Sequence, residues 1–129
     1  MNSATMLLLI ALALFQVKHF LCDFVFQSLW QVNNKGTYGH IAGFVHAGLH
    51  AIGSVPAMLV LTQSPAFIAA VCLGEFAIHY HTDWSRAQID TRFALTEKDH
   101  AYWVIFGADQ LVHQLTYLGM IYVLEAGAL

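Results

Sequence analysis

Charge is what this sequence has least of. Only 10% of its 129 residues are Asp, Glu, Lys or Arg, against about a quarter in an ordinary soluble domain. That is too few to cover a globule with a wetted surface. No basic run occurs and the net charge is −3, so nucleic acid is not an expected partner. Cys22 and Cys72 stand alone in apolar stretches with no CxxC pair, which points to packing roles and not to a disulfide framework. No serine-nucleophile motif or phosphate loop is present. The N-terminus lacks the positive start and small-residue cleavage site of a signal peptide, so residues 1–30 are expected to belong to the mature protein.

What is present is apolar. Hydrophobic residues make up 58% of the chain and the mean hydropathy is +0.60. They fall in long runs without alternation, which excludes most β-barrel patterns. The pattern predicts one all-α domain over residues 1–129, an integral membrane four-helix up-down bundle with a His/Asp cluster in its interior. Expected spans cover about 4–32, 40–61, 65–85 and 99–124, each long enough to cross a hydrocarbon core of about 30 Å. Residues 86–98 form the longest loop, and a short amphipathic helix there would lie along the membrane surface. Lys35, Arg86, Arg92 and Lys98 lie on one side and no Lys or Arg on the other. The positive-inside rule then places those loops in the cytoplasm and both termini outside.

Against that background the ionisable residues stand out. "KHFLCDF" supplies His19 and Asp23, "HAGLH" supplies His46 and His50, "HYHTD" supplies His79 and Asp83, and "DQLVH" supplies Asp109 and His113. Each expected span thus carries one pair at spacing four, which puts both members on one helix face, a turn apart. In an up-down bundle all four pairs fall in the cytoplasmic half and converge. An aspartate in the hydrocarbon costs about 2.5–3.5 kcal/mol on insertion scales, and a divalent ion bound by imidazoles and carboxylates relieves that cost. One or two ions are expected, held by His19, Asp23, His46, His50, His79, Asp83, Asp109 and His113. A proton relay and a purely hydrogen-bonded core are the alternatives.

Other residues are read more plainly. Glu75 lies a turn deeper than the pairs, as a ligand, a proton acceptor or a hydrogen-bond partner. His40 and His100 fall at span starts, and His81 points off the His79/Asp83 face. Lys18 either snorkels or pairs with an acidic neighbour. Gly39, Gly43 and Ala47 form a small-residue stripe that permits close helix approach. Gln27, Gln110 and Gln114 are candidates for orienting ligands. Trp30, Trp84 and Trp103 fit an interfacial belt.

Taken in order, "HFLCDFVFQSLW", "NNKG", "HAGLH", "HYHTDW" and "DQLVH" resemble a family of small bacterial and phage membrane proteins described as a domain of unknown function. The resemblance covers nearly the whole chain. It implies that the eight paired residues are the family's polar core, and a bacterial inner-membrane location, but supplies no activity. More loosely, the helical HxxxD arrangement is similar to that of inner-membrane metal-dependent hydrolases.

The function expected from these readings is metal-dependent hydrolysis of a lipid or membrane-associated substrate. Zinc is favoured, with Asp109, Asp83 or Glu75 as general base. A di-iron or di-manganese redox protein acting on lipid or quinone fits the same donors. A non-enzymatic ion or proton carrier, or a metal-dependent assembly factor, is the third reading, and a homo-oligomer is left open.

Overall fold

The structure, a computed structural model, describes residues 2–127. Among them are five α-helices, one π-helical turn and no strand: α1 (Ser3–Phe20), the π turn (Leu21–Val25), α2 (Leu29–Asn34), α3 (Ile41–Leu61), α4 (Pro65–Arg92) and α5 (His100–Gly127). Local chemistry sets the starts. The Asn2 side chain accepts the Thr5 N–H at 2.8 Å to open α1, and Ser64 caps α4 with Pro65 in its first turn. His40 does the same for α3, its Nδ1 accepting the Ala42 N–H.

The first apolar run differs from the continuous span expected over 4–32. α1 passes into the π turn, and the chain leaves helical geometry before restarting as α2. Ser28 and Gln31 are the reason. Ser28 Oγ accepts the Gln31 N–H, and the Gln31 side chain accepts the Ser28 N–H in return, so this polar pair starts a new helix within the run. The third run differs the other way. α4 continues past residue 85 to Arg92, so residues 86–92 complete that helix and only 93–99 connect it to α5. The helix stops at Ala94, whose φ is 49°. There the Leu95 N–H reaches back to the Asp90 carbonyl at 2.9 Å, a left-handed helix ending made without glycine.

α3 lies centrally, packed on α1, α2 and α4, and α4 packs on α5. α1 and α5 meet through their side chains: the Phe15 and Tyr117 rings stack at 4.9 Å, and Gln16 Nε2 donates to Gln114 Oε1. Gly43 permits the close approach of α3 to α4, since a Cβ there would stand 2.8 Å from Tyr80 Cε2. Gly39, expected in the same stripe, instead takes φ 79° in the turn before α3.

The distribution of residues is inverted relative to a water-soluble globule. Phe15, Met58, Ile68, Tyr117 and Met120 form a small apolar core toward the turn at 62–64. Toward the opposite end the interior is polar, with Lys18, His19, His46, His50, His79, Asp83, Asp109 and His113 all buried. Outside, Ile52, Leu73 and Tyr122 are about 70% exposed. Two helical segments among the described residues, Ser3–Val25 and Ile41–Leu61, are long and apolar enough to cross a membrane. α4 and α5 are 28 residues each, but their polar inner faces lower their average hydropathy.

Candidate metal centre

Asp23 sits in the π turn, a distortion that recurs at functional sites because it re-aims a side chain without ending the helix. Its carboxylate meets three imidazoles. Oδ1 is 3.1 Å from His46 Nε2 and 3.0 Å from His50 Nε2, and Oδ2 is 3.2 Å from His19 Nε2. Asp83, on the inner face of α4, does the same from the other side. Its Oδ2 is 3.2 Å from His46 Nε2 and 3.4 Å from His79 Nε2, and its Oδ1 is 3.4 Å from His113 Nε2. The rings of His50, His79 and His113 lie in a row, with centroids 3.8 and 4.0 Å apart, the first pair tilted by 30° and the second stacked.

Two sets of donors result, Asp23–His46–His50–His79 and His79–Asp83–His113, each with its ligand atoms within 4.8 Å of one another. These groups can hold a metal ion. Four atoms test the fit: His79 Nε2, His113 Nε2, Asp83 Oδ2 and Asp109 Oδ1 are buried and make no aligned hydrogen bond among the described residues, although ionisable neighbours lie within 2.9–3.5 Å. An unsatisfied buried polar atom costs about 1–3 kcal/mol, and a cation held by His79, Asp83 and His113 would satisfy three of the four, leaving Asp109 Oδ1 beside it. Spacing agrees with this. A tetrahedral ion with bonds of about 2.0–2.2 Å holds its ligand atoms about 3.3–3.6 Å apart, close to the separations between these carboxylate oxygens and imidazole nitrogens. The donors are nitrogen and oxygen only, a set that suits zinc, iron and manganese alike.

Of the eight ligands expected from sequence, six fall in the two groups. His19 stands just outside, with Nε2 against Gln110 Oε1 at 2.8 Å and Nδ1 against Tyr117 OH at 2.9 Å. Asp109 flanks the His113 edge, its Oδ1 3.5 Å from Nε2. Glu75 lies apart from both groups and pairs with Lys18, the acidic partner that residue was expected to seek. Lys18 also reaches Tyr117 OH at 3.0 Å and His50 Nδ1 at 3.4 Å. Its stem fits a slot left by Gly53, where a Cβ would stand 2.7 Å from Lys18 Cγ. Gln27 Nε2 lies 3.1 Å from His46 Nε2, whereas Gln114 is taken by Gln16. His81 is exposed, and its Nδ1–H donates to the Ala77 carbonyl.

Tyr117 and Lys35 are the residues that sequence reasoning missed. Tyr117 carried a signal, since it follows Asp109 and His113 at the same spacing of four and therefore shares their face. Lys35 carried none. It sits in a turn, and only the fold brings its Nζ to 2.9 Å from Asp83 Oδ2 and 3.4 Å from His46 Nε2.

Fold and centre together define a small helical protein with a buried His/Asp cluster able to hold a metal. The chain belongs to the family described as "Protein of unknown function (DUF3307)", whose sequence profile matches residues 8–127. No curated protein and no solved structure matches it.

Proposed function

We propose that this protein is a membrane-embedded metal-dependent hydrolase acting on a lipid or membrane-associated substrate. Its four long helices cross a bilayer as an antiparallel bundle, with the centre in the cytoplasmic half and both termini outside. The observation that carries the reading is a pair of buried donor groups joined at His79, Asp23–His46–His50–His79 and His79–Asp83–His113, in which His79 Nε2, Asp83 Oδ2 and His113 Nε2 are left unsatisfied.

When bound, a divalent ion supplies Lewis-acid polarisation and lowers the pKa of a water. The chain's own residues supply the rest. Asp23 and Asp83 anchor and orient the imidazoles of four helices. Asp109 is the base, because its Oδ1 is buried, unengaged and beside His113. It also lines a groove of about 460 Å³ between α4 and α5, by which a lipid can approach from the side. Gln110 and Tyr117 hold His19 by both ring nitrogens and so support Asp23 from below. Glu75, engaged by Lys18, steadies that arrangement.

One observation favours a second reading. The two oxygens of Asp83 face different histidines, as a carboxylate bridging two ions does in di-iron and di-manganese bundles. Metal identity separates the two. Elemental mass spectrometry of the detergent-purified protein should find one or two zinc ions per chain, lost in His46→Ala/His50→Ala. Iron or manganese in the same amount would favour redox chemistry. Absence of bound metal, even after reconstitution with all three, would sink both readings.

A further inference from the structure

At the end of the molecule that carries the turn at 35–40, a polar pocket of about 410 Å³ opens beside the centre. Asp83, although buried, contributes to its wall, so the pocket and the second donor group share a residue. Two cations line it, Lys35 and Arg86. Two carboxylates, Asp83 and Asp90, line it as well, so the charges balance as they stand. That balance changes once Asp83 is spent on a divalent ion. Lys35, whose counter-ion is Asp83 at 2.9 Å, is then left in the pocket with an unmatched charge.

Arg86 is already weakly matched. Its Nε is 3.3 Å from Asp90 Oδ2, yet both Arg86 Nε and Asp90 Oδ1 are buried without an aligned hydrogen bond. What holds the guanidinium is aromatic, for it lies over the rings of Tyr102 and Phe106 at 5.1 and 4.9 Å. A guanidinium held by its faces keeps its edge for a planar fork of oxygens, the geometry in which arginine binds oxyanions in bidentate fashion. The opposite wall is rigid. Gln88 Nε2 donates to the Gly36 carbonyl at 2.7 Å, and a Cβ on Gly36 would stand only 2.6 Å from Ala87 Cβ. The turn is thus clamped onto α4, which fixes Lys35 next to Asp83. Asn33 and Thr37 add neutral polar groups to the wall.

We propose that this pocket binds a phosphate-type oxyanion between Lys35 and Arg86, the phosphoryl group of the substrate whose scissile bond faces the centre. The inference rests on the hydrolase reading and narrows its substrate to phosphate esters. A lipid headgroup and a soluble phosphate ester share this chemistry, so two probes are needed.

The test is calorimetric titration of the metal-reconstituted protein in dodecyl maltoside with inorganic phosphate and, separately, with dihexanoyl phosphatidic acid. Metal content is measured on the same samples. Arg86→Gln should weaken binding of both probes at least tenfold while retaining its metal, since Arg86 belongs to neither donor group. Arg86→Lys should fall between, keeping the charge and losing the fork; its helical circular dichroism shows that the fold is kept. Tighter binding of dihexanoyl phosphatidic acid than of inorganic phosphate supports the lipid as the source, and the reverse supports a soluble ester. Equal affinity for wild type and Arg86→Gln, or no binding by the metal-loaded wild type, overturns the proposal. Should wild type take up no metal and still bind phosphate through Arg86, the hydrolase reading falls and the pocket stands.

Discussion

Lys18 is a costly residue in this fold, because its ammonium lies buried at the floor of the centre with Glu75 as its only carboxylate partner among the described residues. Pairing makes the burial tolerable: the mutual attraction and the Tyr117 hydroxyl offset the loss of water. Removing one partner strands the other. Lys18→Met should therefore cost about 3–5 kcal/mol, while Lys18→Met/Glu75→Met should recover most of that loss. Unfolding of the four purified variants in one detergent measures the coupling. Additive losses in the double variant would mean that the two side chains do not depend on each other. The same cycle with Tyr117→Phe separates the ion pair from the hydroxyl that links it to His19.

At the scale of elements, close contacts decide which glycines matter. Gly43→Ala places a methyl 2.8 Å from the Tyr80 ring, whereas a Cβ on Gly74 meets nothing within 4 Å. Overpacking costs about 1–3 kcal/mol and alanine in a helix gains up to about 1 kcal/mol over glycine. Gly43→Ala should lower the melting temperature and Gly74→Ala hold or raise it. Ala94, left-handed without being glycine, predicts a gain of about 1–2 kcal/mol for Ala94→Gly, read in the same melts. In the next turn the exposed Asp99 carboxylate accepts the Thr96 backbone N–H and hydroxyl, both at 2.8 Å. These bonds, the backbone one first, hold its pKa below the usual carboxylate value. The stabilisation is present above the unfolded pKa and lost as pH falls through the lowered one. A nuclear magnetic resonance titration should place the Asp99 midpoint below that of an ordinary aspartate, and Thr96→Ala should move it back up.

These elements also mark what the sequence could tell. The His and Asp pairs were legible because spacing four is a local property of a helix, and a charge in an apolar run announces its own cost. The π turn at Asp23 was not legible. It depends on what the carboxylate meets across the bundle, and composition carries no trace of that. α2 could have been found, since Ser28 and Gln31 are a capping signature, but the length of the apolar run overrode it. The extension of α4 through Arg92 was missed because the charges of 86–92 read as loop. In the fold those charges stay on the helix and Arg86 turns inward over Tyr102 and Phe106. Lys35 shows the limit most plainly, because a turn residue gains its meaning from whatever the turn is clamped against.

The whole molecule poses a question of solvent. Fully removing a leucine or isoleucine side chain from water is worth about 1.5–3 kcal/mol, and Met6, Leu9, Ile52, Leu73, Leu115 and Val123 all lie on the outside. Soluble proteins rarely show so many on one surface, least of all around a core of histidines, aspartates and a lysine. In a bilayer the arrangement is consistent: the outer residues face acyl chains, and the ionisable ones find one another. On the orientation proposed above, the basic ends at Lys35, Arg86, Arg92 and Lys98 lie at the cytoplasmic surface. Labelling in a Cys22→Ala/Cys72→Ala background tests this directly. A membrane-impermeant maleimide should leave Leu73→Cys unmodified in membranes open on both sides and modify it only after solubilisation in dodecyl sulfate. Lys98→Cys should react in open membranes and be protected in intact cells. Rapid labelling of Leu73→Cys in open membranes would mean that its helix faces water, and the centre would then belong to a soluble assembly whose apolar surface another chain covers.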